Sequence, residues 1–421
     1  MALLDKGHRV ESRSNTNLSG FRILDCTEEP GYLAGKLLAE LGAEVIKVEP
    51  PDGDPGRYRA PFIGEVPNPE LSVPWLALNT SKLSVTLDLA KPQDRALFLR
   101  LVATADALVE SAGADVRTGP RAHGIHDADL RRANPQLVIC RLSPFGTEGP
   151  YANRRGSDLT IVALGGNLYP TGNPDRAPVR CSLPVSHFHG GIELAVATVF
   201  ALWGRITAGV AETVDVSLQE CLTIPNMTTP TQFPFTGFTG KRVGGGFRGA
   251  KAFFRELWRC KDGWISFALR GGPARNPGIQ ALVEYIRECG MDDPALNRDW
   301  KNYNHNTISQ DDVNAIEAAL ESFFRTQTME ELFRVACERN LLLAPAFSAR
   351  EIVRSRQLAA RDFFLDLEDP GRGLVLRYPA CFARTSLGPA RIRHPAPRIG
   401  EHNRKVFSAL PHISTEGSPL S

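Results

Sequence analysis

The sequence has no excess of either charge. Its 49 Lys and Arg stand against 47 Asp and Glu, a formal +2 at pH 7, which leaves no electrostatic footprint for duplex nucleic acid or an anionic membrane surface. Paired cysteines are missing too. The eight (Cys26, Cys140, Cys181, Cys221, Cys260, Cys289, Cys337 and Cys381) are scattered singly, with no C-x-x-C to hold zinc or run redox chemistry. They are expected as reduced, mostly buried thiols. No stretch of about eighteen apolar residues occurs. The opening from Met1 to Ser19 is polar, carries Asp5, Lys6, Arg9 and Arg13, and has no apolar signal core. That segment is expected as a disordered tail on a cytoplasmic protein, with neither nucleic acid nor membrane as partner. Two more absences narrow the chemistry. Without G-x-x-x-x-G-K-[ST] the usual nucleotide triphosphatase is removed, and without G-x-S-x-G so is the α/β-hydrolase.

What is present reads as globular: 42% hydrophobic and 23% charged residues exclude disorder, collagen and coiled coil for the chain as a whole. A length of 421 residues predicts two or three folding units. From Phe21 to Cys26 the pattern is a strand, and Pro30-Gly31 turns into a helix with Leu33, Leu37, Leu38 and Leu41 on one face. Gly42 closes the helix, and Ala43 to Glu49 supplies a second strand before Pro50-Pro51. This βαβ unit implies parallel pairing. The alternation continues with strands from Leu83 to Leu89, Ala107 to Glu110 and Leu137 to Arg141, and a helix from about Pro92 to Ala103. A well-buried helix from Gly190 to Arg205 and a strand from Glu212 to Leu218 follow. The fold class predicted is α/β, with a doubly wound, Rossmann-like large domain.

Beyond Cys221 the texture changes. Thr223 to Gly249 is rich in Thr, Pro, Gly and Phe and reads as a long connection. A hairpin with an Asp262-Gly263 turn follows, then helices from Pro277 to Cys289 and from Asp311 to Arg325. After Thr328 come a helix through Arg339, a β-rich run to Gly388 and an extended Pro-rich segment from His394 to Gly400. The expected domains are the tail over 1–19, the first part of the large domain over 20–222, the linker and small domain over 223–330, and a return to the large domain over 331–421.

Two features invite functional readings. Gly244-Gly245-Gly246-Phe247-Arg248-Gly249 formally contains G-x-G-x-x-G but lacks a preceding strand, so dinucleotide binding is poorly supported. A mobile loop that closes over a ligand and a plain linker both stay open. His187 and His189 flank Phe188. On a strand they would share one face, yet no third ligand has a recognisable spacing, so structural histidines or a pocket without metal are favoured. No metal site is expected.

The run Leu41-Gly42-Ala43-Glu44-Val45-Ile46-Lys47-Val48-Glu49-Pro50-Pro51, with Gly53-Asp54-Pro55 and Arg57, resembles the opening of the family III CoA-transferases. Formyl-CoA transferase, carnitine CoA-transferase and α-methylacyl-CoA racemase belong to that family. Further matches follow in order: Asn79 with Lys82 and Leu87-Asp88-Leu89, Asn134-Pro135, Ser143 with Phe145-Gly146, Gly149-Pro150-Tyr151, Thr171-Gly172 and Pro178. The tail from Ala396 to His402 is similar to the family's closing P-x-x-G-E-H.

The resemblance implies a Rossmann-like domain built from both chain ends, a smaller middle domain, and two chains threaded through each other. It implies acyl-CoA and a carboxylic acid as substrates, with coenzyme A as a substrate thioester and no separate cofactor. Asn79, Lys82, Ser111 and Ala112 would lie at the CoA site, and Gly244, Gly245, Gly246 and Gly249 in the loop over the reacting centre. The family's nucleophile is an aspartate, whose carboxylate forms first a mixed anhydride and then a CoA thioester. Here that position is His187. An imidazole has no carboxyl carbon to accept CoA, so the same cycle cannot run on this chain. Other departures accompany it. The family's E-N-F-R-P-G run reads Glu110-Ser111-Ala112-Gly113-Ala114-Asp115, a common glutamine is replaced by Glu29, and the racemase branch's histidine is matched by Ser157 before Asp158. Racemisation needs an acid/base on each side of the α-carbon, and Ser157 is a poor one.

Three readings follow. The first is a CoA-transferase subunit working with an aspartate-bearing homologous subunit as a heterodimer or heterotetramer, with a homodimer as the other assembly. The second is an acyl-CoA hydrolase, lyase or isomerase using His187 or Glu29 as general base. The third is a catalytically silent homologue.

Overall fold

The computed structural model describes residues 17–411 apart from 115, 381 and 387. Most of the expected tail, and Cys381, lie outside the described residues. Leu18 is buried, and its N–H donates to the Leu41 carbonyl at 2.9 Å. The chain forms two compact units: residues to Asn167 with Cys181–Thr231 and Ala360 onward, and Leu168–Arg180 with Gln232–Ala359.

The first unit begins with β1 (Arg22–Cys26), α1 (Tyr32–Glu40) and β2 (Glu44–Glu49). Gly42, at φ +110°, makes the sharp turn between helix and strand. There follow α2 (Val73–Leu78), β3 (Leu83–Thr86), α3 (Pro92–Val102), β4 (Ala107–Ser111), α4 (Asp127–Ala133) and β5 (Val138–Ser143). Then come α5 (Asp158–Leu164), α6 (Val185–Ala208), β6 (Thr213–Ser217) and α7 (Leu218–Thr223). All six strands are parallel, in the order β3-β2-β1-β4-β5-β6. This is the doubly wound sheet that the alternation predicts. Its core includes Leu24, Ile46, Val85, Phe98, Leu108 and Ile139, all with negligible exposure.

Helix α6 differs from expectation in two ways. It starts at Val185, a turn before Gly190, so His187 lies on the helix. Burial covers one face only: Leu194, Ala201 and Leu202 are buried, while Ile192, Val196, Phe200 and Trp203 are exposed. By length and composition α6 could cross a membrane, but its buried face packs on the sheet and α1.

The free edge of β3 is covered by a later segment of the chain. His402 N–H donates to the Ser84 carbonyl at 2.9 Å, and Ser84 N–H donates to His402 Nδ1 at 3.2 Å. Asn403 Oδ1 accepts from Thr86 N–H at 2.8 Å, and Gly400 N–H donates to Ser84 Oγ at 2.9 Å. The closing P-x-x-G-E-H motif thereby protects an edge that would otherwise be open.

The expected Thr223–Gly249 connection, whose residues to Thr231 belong to the first unit and the rest to the second, is more ordered than its composition suggests and contains α8 (Thr228–Thr236). The second unit then has β7 (Gly246–Arg248), β8 (Phe253–Arg255), β9 (Leu257–Arg259) and β10 (Trp264–Phe267). Helices α9 (Asn276–Glu288), α10 (Gln310–Phe324) and α11 (Met329–Arg339) follow, then β11 (Leu343–Pro345). The Thr328 side chain caps α11 by accepting from Glu331 N–H at 3.2 Å. Strands β9, β10 and β11 form an antiparallel sheet over a core containing Trp258, Ile265, Ile286 and Phe324.

The expected β-rich run to Gly388 opens instead with α12 (Ala349–Val353) and α13 (Arg356–Ala360). A reciprocal Ser348–Glu351 cap starts α12. The run then returns to the first unit as an antiparallel pair, β12 (Phe364–Asp369) and β13 (Leu374–Pro379), before α14 (Asn403–Ser408).

Candidate active site

The Gly53-Asp54-Pro55 and Arg57 motif builds a buried ionic platform under the ends of β1, β2 and β3. Lys82 Nζ donates to Asp25 Oδ2 at 2.7 Å, to Asn79 Oδ1 at 2.8 Å and to the Tyr32 carbonyl at 2.9 Å. Lys47 Nζ lies 2.9 Å from Asp54 Oδ2. Arg57 donates to both Glu49 oxygens, at 2.6 and 2.8 Å, and stacks 3.9 Å over the Trp75 ring. Three anions (Asp25, Asp54, Glu49) balance three cations (Lys47, Arg57, Lys82), all buried, as charges removed from water require. Burial works to raise the Asp25 carboxyl, and the Lys82 and Lys47 ammoniums overcome it, holding it below the usual range.

On this platform the strand order reverses between β1 and β4, where open α/β sheets form a crevice beyond their strand ends. Thr27 follows β1 and is fixed to Asp25 Oδ1 by its N–H at 3.0 Å and its hydroxyl at 2.6 Å. Glu28 N–H donates to Ser111 Oγ at 2.8 Å, and Glu28 Oε1 accepts from the backbone N–H groups of Arg117 and Thr118 at 2.8 and 3.0 Å. Ala112 N–H donates to the Leu142 carbonyl at 2.8 Å. At the end of β5 the Ser143 hydroxyl is buried with no hydrogen-bond partner among the described residues.

Helix α6 enters from above. Gly190 and Gly191 make its close approach possible, since a Cβ on Gly191 would lie 2.8 Å from Leu33 Cβ. Ser186 donates to Asp158 Oδ1 from its N–H at 3.0 Å and its hydroxyl at 2.8 Å. One carboxylate thus serves the N-termini of both α5 and α6. His187 is half-buried in the first turn of α6. Burial lowers its pKa, Glu29 and Asp158 oppose that, and Arg59 adds to it, leaving the imidazole below its ordinary value. It is therefore neutral at pH 7 and able to accept a proton. Arg59 Nε lies 3.1 Å from Glu29 Oε2.

The structure thus gathers His187, Glu29, Ser111 and Ala112 at one end of the first unit's sheet. Asn79 and Lys82, expected at the CoA site, have no exposed surface and are engaged with each other and Asp25. The glycine loop belongs to the second unit. There Gly244, at φ +63°, donates to the Gly172 carbonyl at 2.9 Å; Gly245 accepts from Glu256 N–H; Gly246 pairs with Arg255; and Gly249 donates to Ala252 at 2.8 Å. His187 and His189 are on a helix, where residues two apart face different directions. Among the described residues no group of three His, Cys, Asp or Glu side chains could hold a metal. Ser157 caps α5. Sequence reading missed Arg59, because its place two residues past Arg57 carries no signature.

The model of the family described as CoA-transferase family III matches residues 18–403. The chain is 31% identical over 394 residues, 93% of each chain, to subunit BbsE of succinyl-CoA:(R)-benzylsuccinate CoA-transferase from Thauera aromatica. It is 28% identical to the succinate–glutarate CoA-transferase of Agrobacterium fabrum, covering 96% of this chain and 98% of that one. Among solved structures, a CAIB/BAIF family protein from Brucella suis superposes with a TM-score of 0.77 at 25% identity, covering 94% of this chain and 100% of that chain.

Proposed function

Because the chain belongs to CoA-transferase family III, we propose that it takes part in moving coenzyme A from an acyl-CoA donor such as succinyl-CoA to a carboxylic acid, alongside an aspartate-bearing homologous subunit in a cytoplasmic heteromer. The family match across nearly the whole chain carries the transferase reading. His187, at the place where the family bears its nucleophile, supports the heteromer, as does similarity to a relative that is itself a subunit. In this reading the partner's aspartate attacks the acyl-CoA carbonyl and releases CoA thiolate. The thiolate then attacks the aspartyl carbonyl, expelling the donor acid; the acceptor carboxylate attacks the resulting aspartyl thioester and displaces the thiolate, which attacks the acceptor's carbonyl in the new anhydride, giving the acceptor thioester and freeing the aspartate. This chain contributes a crevice at the ends of β1 and β4, shaped by Glu28, Ser111 and Ala112. A substituted succinate is the first acceptor to test.

A second reading has one observation in its favour. A neutral His187 beside Glu29 is poised as a general base, which suits hydrolysis of an acyl-CoA. Co-purifying the chain with its aspartate-bearing homologue, then screening succinyl-CoA and acetyl-CoA against carboxylic acids, separates the two. Thioester transfer to an acid supports the transferase; release of free CoA with no acid acceptor sinks it.

A further inference from the structure

Ser84 on β3 is held at both of its backbone groups by one residue. The His402 N–H donates to the Ser84 carbonyl at 2.9 Å, and the Ser84 N–H donates to Nδ1 of the His402 ring at 3.2 Å. The imidazole thus stands where the carbonyl of a neighbouring strand would stand, and it can do so only while Nδ1 keeps its lone pair. A proton on Nδ1 sets one donor against another across that gap. The next bonds along the same edge have no such weakness. Asn403 Oδ1 accepts from Thr86 N–H at 2.8 Å and its Nδ2 donates to Thr86 Oγ1 at 2.8 Å, and an amide side chain does not titrate.

The charged and titratable groups facing the His402 ring are Glu401 and Lys405 of its own segment and His394, whose ring centroid is 6.2 Å away; β3 presents the Ser84 backbone. Burial lowers the pKa of both imidazoles, Glu401 opposes that, and Lys405 adds to it. The bond to Ser84 is therefore intact at neutral pH and is lost as pH falls through a folded value below the ordinary 6.5. The same serine leads to the ionic platform: its hydroxyl accepts from Gly400 N–H at 2.9 Å and donates to Glu49 Oε1 at 2.6 Å, beside Arg57.

We propose that His402 is a proton-operated latch: protonation at Nδ1 lets residues 400–402 leave Ser84 while Asn403 keeps its hold on Thr86, and so loosens the serine that also serves Glu49. The latch belongs to the fold and does not depend on the acyl-CoA reading above.

The test is amide hydrogen exchange on the purified protein as it assembles, at pH 7.5 and pH 5.0, with protection corrected for the intrinsic pH dependence of exchange. Protection of the Ser84 amide is expected to fall at least about tenfold in acid and that of Thr86 less than about twofold. In His402→Asn, whose Oδ1 can accept the same N–H, Ser84 protection should stay within about twofold across the range. Unchanged Ser84 protection in the native protein overturns the proposal, as does a full acid response surviving in His402→Asn. A parallel loss at Ser84, Thr86 and the core amide of Ile46 also overturns it, because that is acid unfolding of the whole unit. Should His402→Asn fail to fold, ring nitrogen NMR of the native protein decides: Nδ1 must be unprotonated at pH 7.5 and gain its proton as Ser84 loses protection, and a neutral ring carrying its proton on Nδ1 sinks the latch.

Discussion

Glu28 and Ser111 follow or end two adjacent parallel strands, and the N–H of the first donates to the hydroxyl of the second at 2.8 Å. That bond ties β1 to β4 where the strand order reverses, and it fixes the backbone from which Glu29 projects.

Ser111→Ala should therefore leave the Glu28 N–H short of a partner at a part-buried site, costing about 1–2 kcal/mol. Urea denaturation checks the stability, and acyl-CoA affinity should weaken several-fold as Glu29 loosens. Unchanged affinity with reduced stability would confine the serine to a structural role.

His187→Ala should leave turnover of the assembled transferase within a few-fold, because no bond forms at that residue in the proposed cycle. Replacing the partner's aspartate should cost orders of magnitude. Incubation with acyl-CoA followed by hydroxylamine should mark the partner chain alone. A label at residue 187, or loss of turnover in an intact assembly of His187→Ala, would move the hydrolase reading ahead.

The α/β alternation was legible because parallel strands buried on both faces read as short apolar runs between helical patterns, as in Ile23-Leu24 and Val138-Ile139. The closing motif was legible as a family mark, while its physical work along the edge of β3 was not, since that pairing spans some three hundred residues of sequence. The same distance hides the environment of Lys82: sequence shows a cation near Asn79, and only the fold reveals Asp25 beside it. The start of α6 was misplaced because Pro184 and the glycines after His189 read as breakers. Pro184 in fact stands at the N-cap, Gly190 lets α6 approach Leu218 of α7 and Leu142 of β5, and Gly191 lets it approach α1.

Arg57→Met should destabilise the protein by about 3–5 kcal/mol, because it leaves the Glu49 carboxylate buried without its countercharge. Chemical denaturation reads the loss. A cost below about 1 kcal/mol would mean that Ser84 Oγ and the Asp54 N–H, which also bind Glu49, suffice for that charge.

Mild acid should weaken the fold through its buried histidines. Burial holds the imidazoles of His187, His394 and His402 below their ordinary value. Between about pH 6.5 and their lower folded values, the unfolded chain binds protons that the native one refuses, so stability falls as pH falls. The urea midpoint should be lower at pH 5.5 than at pH 7.5, and a higher one would contradict this account. Further acid, through the range where Asp25 is depressed, should add to the loss.

The apolar stripe Ile192, Val196, Phe200 and Trp203, with Trp203 65% exposed, is the kind of surface that associates. The chain should be at least dimeric with itself or its homologue, and Trp203→Asp should weaken that assembly. Light scattering at 46.1 kDa for the unaltered protein at micromolar concentration would contradict it.

The covering of β3 by residues 397–403 has a consequence for synthesis. All six strands of the sheet have left the ribosome once Ser217 has emerged, yet the polar groups along one margin wait for almost two hundred further residues. Throughout that interval the nascent chain carries an open margin that a neighbouring polypeptide can join. Slow translation of the second unit prolongs the exposure, and a chain halted before His402 carries it permanently.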